Sequence, residues 1–93
     1  MISCADGRCG LQGPVTAANV GALLEEGRQQ IAAPEVTIDL AGVTEVDSTA
    51  VSLLLEWRRQ AHRANRTIHY ANIPANLTSL AELYGVTELL GEG

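Results

Sequence analysis

Between Val36 and Ala64 the spacing of apolar side chains changes from every second residue to every third or fourth. Val36, Ile38 and Leu40 alternate with Thr37 and Asp39, the pattern of a strand with one face in a core. The following A-G-V-T-E-V-D-S-T reads as a turn. From Asp47 onward, Ala50, Leu53, Leu54, Trp57, Ala61 and Ala64 recur at helical spacing and predict one continuous stripe on a long helix. Asp47 and Ser48 both suit its N-cap, because either side chain can accept from the unpaired N–H groups of the first turn. Val51 and Leu55 fall outside the stripe, so the first half of this helix is apolar over more than the roughly 100° arc that a core face needs. A neighbouring helix of the same domain or a partner protein must cover the excess.

The flanking segments carry simpler patterns. Ile2–Cys4 and Arg8–Gln12 flank Ala-Asp-Gly, a hairpin signal, and Gly13 and Pro14 are expected to stop the second strand. Thr16 is the expected N-cap of a helix reaching about Ile31, with Val20, Leu23, Leu24, Gly27 and Ile31 on its inner face. Pro34 separates that helix from the Val36 strand. In T-I-H-Y-A-N, Ile68 and Tyr70 share one face of a strand. Pro74 then opens a third helix with Leu77, Leu80, Ala81 and Tyr84 on one side and Gly85 as a left-handed C-terminal residue. Val86 to Leu90 predict a terminal turn or short helix. The order β-β-α-β-α-β-α predicts one α/β domain over residues 1–93, a mixed four- to five-stranded sheet with three to four helices and right-handed crossovers.

Composition narrows the function classes. The chain has 93 residues, a net charge of -5 and no Phe, so its core must be built from Leu, Val, Ile and Ala. Scarce Lys and Arg argue against nucleic acid and against an anionic membrane surface. Arg58, Arg59, Arg63 and Arg66 form the one basic cluster, which suits a helix C-terminus and a solvated face or a strip facing a partner. No apolar run approaches the ~20 residues of a membrane span, and no signal-peptide pattern is present, which predicts a cytoplasmic protein without direct membrane insertion. Cys4 and Cys9 fit neither a C-x-x-C pair nor a zinc ligand set and are read as reduced, partly buried strand residues. Gly7, Gly10 and Gly13 lack the Lys-Ser/Thr of a phosphate loop. His62 and His69 have no second ligand at a defensible spacing, and Ser48 has neither a His partner nor a G-x-S-x-G elbow. Glu45 and Asp47 adjoin a helix start, where acids are commonly structural. No catalytic residue, cofactor or metal is expected.

The run V-D-S-T-A-V-S-L-L-L-E-W, followed by T-I-H-Y-A-N-I-P and L-A-E-L-Y-G-V-T-E-L-L, resembles the STAS domains over nearly the whole chain. Within them it is most similar to the small cytoplasmic STAS subunit of the Mla phospholipid-transport ABC transporter, and somewhat less similar to the anti-sigma-factor antagonists. The first resemblance implies a non-catalytic subunit that binds and supports the ABC ATPase, with its permease in the same complex. Such a subunit sits at the inner face of the inner membrane through that partner, in a system that maintains outer-membrane lipid asymmetry. The hydroxyl residue that matters for this contact in the family corresponds to Ser48. The expected contact surface is Asp47, Ser48 and Thr49, with Val51, Ser52 and Leu55 as outer candidates. The second resemblance implies a phosphorylation switch: the antagonists' phosphoacceptor position falls on Thr49, with Ser48 adjacent, although Ala50 replaces their usual Gly. A phosphate there would meet the helix dipole but also Glu45 and Asp47. Ser48 and Thr49 serving simply as helix caps is the plain alternative.

Overall fold

The computed structural model describes residues 1–85. Its elements are β1 (Ile2–Ala5), β2 (Arg8–Val15), α1 (Val20–Gln30), β3 (Glu35–Val46), α2 (Ser48–Arg63), β4 (Thr67–Ala71) and α3 (Ala75–Leu83). The four strands lie side by side in chain order, β1 antiparallel to β2 and the remaining neighbours parallel. Both β-α-β crossovers step the same way across the sheet, so right-handed connections bring α1 and α2 to one face. Burial follows. Leu11, Val15, Val36, Ile38, Leu40, Ile68 and Tyr70 are buried, whereas the other face carries Arg8 paired with Asp39 at 3.3 Å and His69 hydrogen-bonded to Glu35 at 2.9 Å.

Two segments expected to leave the sheet remain in it. A-G-V-T-E-V is not a turn but the second half of β3, and β2 runs through Gly13 and Pro14 to Val15. Each supplies the other's ladder: Gln12 pairs with Gly42, Gly13 with Val43 and Val15 with Val46. Pro14 is tolerated because the register shifts between Gly13 and Val15, where no ladder N–H is required of it. Gly42 allows the close approach, since a Cβ there would lie 2.9 Å from Gln12 Cγ and 3.1 Å from the Leu11 carbonyl oxygen.

Thr16 does not cap α1. The helix starts at Val20 with Asn19 in the cap position, and Asn19 Oδ1 accepts from the Thr16 N–H at 2.9 Å and its hydroxyl at 3.0 Å, closing a turn ahead of the helix. Cys4 and Cys9 are not reduced thiols: the hairpin register sets them directly opposite, Cα atoms 4.0 Å apart, and they form a disulfide. Spacing along the chain concealed this, because a two-stranded register pairs residues about its turn at any even count of intervening positions.

α2 is the central helix, packed against α1 on one side and α3 on the other. Ala50, Leu53, Leu54, Trp57 and Ala61 are buried as expected, and so is Val51. Ala64 follows the last helical turn and is exposed, and Arg66 lies beyond the helix, donating to the Ile31 carbonyl at 3.0 Å. On α3, Leu77 and Ala81 are buried and Leu80 is half-buried, but Tyr84 is 54% exposed, because it is the C-cap just past the last turn. Gly85 takes the left-handed conformation, φ +70°. The expected turn or helix at 86–90 lies outside the described residues.

Candidate functional site

The head of α2 is built around Asp47. Its extended backbone ends β3, and its Oδ1 accepts from the Thr49 N–H at 2.9 Å and from the Thr49 hydroxyl. Oδ2 accepts from the Ala17 N–H at 3.1 Å, which ties the helix start to the loop leaving β2. The Thr49 hydroxyl, followed by the Ala17 N–H, holds the Asp47 carboxyl below its ordinary value. Of the two candidate caps, the structure uses Asp47 and leaves Ser48 exposed, with no side-chain hydrogen bond among the described residues. Thr49 is half-buried and its hydroxyl is committed to Asp47.

Ser48, Ser52, Leu55 and Arg59 are spaced four, three and four residues apart and form the outer ridge of α2. On one flank is a hollow of about 320 Å³ lined by Ser48, Thr49, Val51, Ser52, Leu55 and Tyr84. On the other is a hollow of about 420 Å³ whose walls include Val20, Leu24, Thr49, Ser52, Leu55 and Arg59. Five of the six expected contact residues therefore line one hollow, and Asp47 braces it from behind. Val51 belongs to the core at 4% exposure and contributes only to the floor. Leu55 is half-buried, so its apolar excess is partly covered within the domain.

Three residues of this surface have core-face spacing in the sequence. Tyr84 continues the apolar stripe of α3 by spacing but is its C-cap immediately before Gly85, and its side chain is exposed. Val20 and Leu24 fall on the inner face of α1 by spacing, yet both are only partly buried, because they stand at the margin where α1 meets α2. The arginine cluster is largely spent on surface pairing. Arg59 and Arg63 both meet Glu56, at 3.0 and 3.5 Å, and Arg58 lies 6.0 Å from the centre of the Tyr70 ring. Among the described residues no group of three His, Cys, Asp or Glu side chains is placed to hold a metal ion.

The head of α2 thus brings together a capped helix start, an exposed hydroxyl on Ser48 and two flanking hollows. The family profile described as "Mlab, STAS domain" matches residues 4–91. No curated protein matches the sequence significantly. Among solved structures, the anti-sigma factor antagonist SpoIIAA in its unphosphorylated form has a TM-score of 0.73 and 13% identity, over 95% of this chain and 82% of that one. A structure of Mglu has a TM-score of 0.64 and 20% identity over 83% of this chain and 20% of its own. Mglu in its native form gives 0.57 and 16%, over 75% and 22% respectively. At these identities the likeness is one of fold.

Proposed function

The chain belongs to the MlaB-type STAS domain family, and from this premise we propose that it is a non-catalytic subunit binding and supporting the ATPase of a phospholipid-transport ABC system. The single observation that carries the reading is the outer ridge of α2, where Ser48, Ser52 and Leu55 stand between two hollows with apolar walls. An exposed hydroxyl flanked by apolar sockets suits a protein partner that inserts side chains on both sides of a polar contact. No described helix is long and apolar enough to cross a membrane; in the proposed assembly the ATPase and its permease hold the subunit at the inner face of the inner membrane. The system served is one that maintains outer-membrane lipid asymmetry.

One observation favours a second reading, an anti-sigma-factor antagonist switched by phosphate: the Ser48 hydroxyl is exposed and unengaged among the described residues. Thr49 is less suited, because its hydroxyl is held by Asp47 and its phosphate would displace that bond.

Affinity capture from membrane and soluble fractions, with wild-type protein beside Ser48→Trp, separates the two. The transporter reading expects an ABC ATPase and its permease with wild type and much less with the variant, at nearly equal thermal stability because Ser48 is exposed. Recovery of a soluble serine kinase, together with a phosphorylated fraction in the intact mass, would move the protein to the signalling class. A large fall in stability of the variant would return Ser48 to a plain structural role.

A further inference from the structure

The hairpin disulfide is unlike the rest of the core in one respect: its two halves are unequally accessible. Cys9 is 1% exposed, while Cys4 is only partly buried. Both line a cleft of about 280 Å³ whose walls include Asp6, Gln30, Ala32 and Ala33, with no Lys, Arg or His among them. We propose that Cys4–Cys9 is a reversible thiol-exchange site at which a small thiol attacks Cys4 Sγ, and that Asp6 biases it toward cationic thiols.

The chemistry balances with the thiol as reductant. A thiolate R–S⁻ attacks Cys4 Sγ, the bond between the two cysteines breaks, and Cys9 Sγ leaves as a thiolate that takes a proton from solvent through the cleft it lines. A second thiolate then attacks the R sulfur of the mixed disulfide, forming R–S–S–R and releasing Cys4 as a thiolate. Two electrons enter the protein, and by the reverse route R–S–S–R accepts them back, re-forming the Cys4–Cys9 bond and releasing two R–S⁻. Attack falls on Cys4 because the core shields Cys9.

The hairpin does not depend on the bond for its register. Glu26 Oε1 accepts from the Ile2 N–H at 3.1 Å, Gln30 Oε1 accepts from the Cys4 N–H at 3.1 Å, and Gln30 Nε2 donates to the Ile2 carbonyl at 2.9 Å. The N-terminal ammonium donates to the Gln12 carbonyl at 3.0 Å, and Ile2 is 2% exposed. β1 is thus held by α1 as well as by β2, so the two thiols remain opposed after reduction and reoxidation stays intramolecular. Charge sets the selectivity. Among the described residues the cleft is walled by one carboxylate and no cation, so an ammonium-bearing thiol is drawn in and a carboxylate-bearing one repelled.

The test compares reduction of the folded protein by cysteamine, 2-mercaptoethanol and mercaptoacetate at low ionic strength, with acid quenching, alkylation and peptide mass mapping. The expected order of rates, corrected for each thiol's ionised fraction, is cysteamine, then 2-mercaptoethanol, then mercaptoacetate, with the trapped mixed disulfide on Cys4 and Cys9 alkylated. Asp6→Asn, which keeps a residue tolerant of the positive φ of 53° at that turn, is expected to narrow the cysteamine-to-mercaptoacetate ratio by about threefold or more, because the lost unit charge acts with opposite sign on the two thiols. Removing the thiol and adding cystamine should restore the disulfide with the far-ultraviolet circular dichroism unchanged throughout. Trapping on Cys9, an unchanged ratio in Asp6→Asn, or reduction only once the protein is unfolded would each overturn the proposal.

Discussion

Gly27→Ala and Gly21→Ala make the same chemical change on the same helix and are expected to act in opposite directions. A Cβ at Gly27 would stand 2.3 Å from Trp57 Nε1, 2.7 Å from Cε2 and 2.9 Å from Cζ2. Reaching ordinary carbon contact requires a retreat of about 1 Å. Trp57 cannot swing aside cheaply, because it is 1% exposed and its ring is rigid, so α1 must move away from α2. Overpacking of this kind costs about 1–3 kcal/mol, and the displacement needed puts it at the upper end. The intrinsic helix preference for Ala over Gly returns about 1 kcal/mol. The net expectation is a loss of about 2 kcal/mol, which in a domain of this size lowers Tm by roughly 8–16 °C. Gly21 has nothing within 4 Å of its would-be Cβ and is exposed, so Ala there keeps the propensity gain, at most about 1 kcal/mol. Urea unfolding followed by fluorescence of the sole tryptophan measures both variants and reports on the contact itself. A Gly27→Ala protein as stable as wild type, or more so, would refute the interdigitation of α1 and α2 described above.

Other expectations follow from the same geometry. Asp47 has its folded pKa lowered, so its contribution to stability is present above the unfolded carboxylate value of about 3.9 and is lost as pH falls through the folded value. Asp47→Asn should therefore be less stable than wild type near neutrality, with a flatter fall of stability in acid; parallel curves would dismiss the Asp47 bonds as a source of acid sensitivity. Leu53→Ala removes a side chain 1% exposed beneath α2 and should cost about 2–5 kcal/mol by urea titration. Tyr70 donates to the Leu54 carbonyl at 2.7 Å, and burial pushes its phenol well above the ordinary tyrosine range. Tyr70→Phe should lose about 1 kcal/mol. Alkaline absorbance titration should show that the wild-type Tyr70 ionises only when the protein unfolds.

The elements themselves were legible wherever side-chain periodicity was strong. The Val36–Leu40 alternation, the α2 stripe and the Asp-Gly hairpin each arise from a local rule, because a strand or helix with one buried face must repeat its apolar residues at the element's own period. The α/β order followed from those elements in sequence, whereas the STAS resemblance rests on the runs V-D-S-T-A-V-S-L-L-L-E-W, T-I-H-Y-A-N-I-P and L-A-E-L-Y-G-V-T-E-L-L themselves. Asp47 could be named as a cap candidate for the same reason: the free N–H groups of a helix start are a local fact.

What depended on a partner far along the chain could not be read in this way. Ala41 to Val46 carries turn-like composition yet forms strand, because the ladder bonds come from Gln12 to Val15 some thirty residues earlier. Gly27 looks like a weak point in α1 until Trp57 is seen to fill its space. Cys4 and Cys9 became a bonded pair only through the hairpin register, and Thr16 lost its cap role to the turn it forms with Asn19. The same division holds at the candidate site. Sequence alone determined that hydroxyls and excess apolar residues gather at the head of α2, because those are properties of consecutive residues. Tertiary structure decided that Val51 turns inward, that Tyr84, Val20 and Leu24 join the surface, and that Ser48 rather than Thr49 is left free, because burial and hydrogen-bond competition are set by neighbours that only folding brings together.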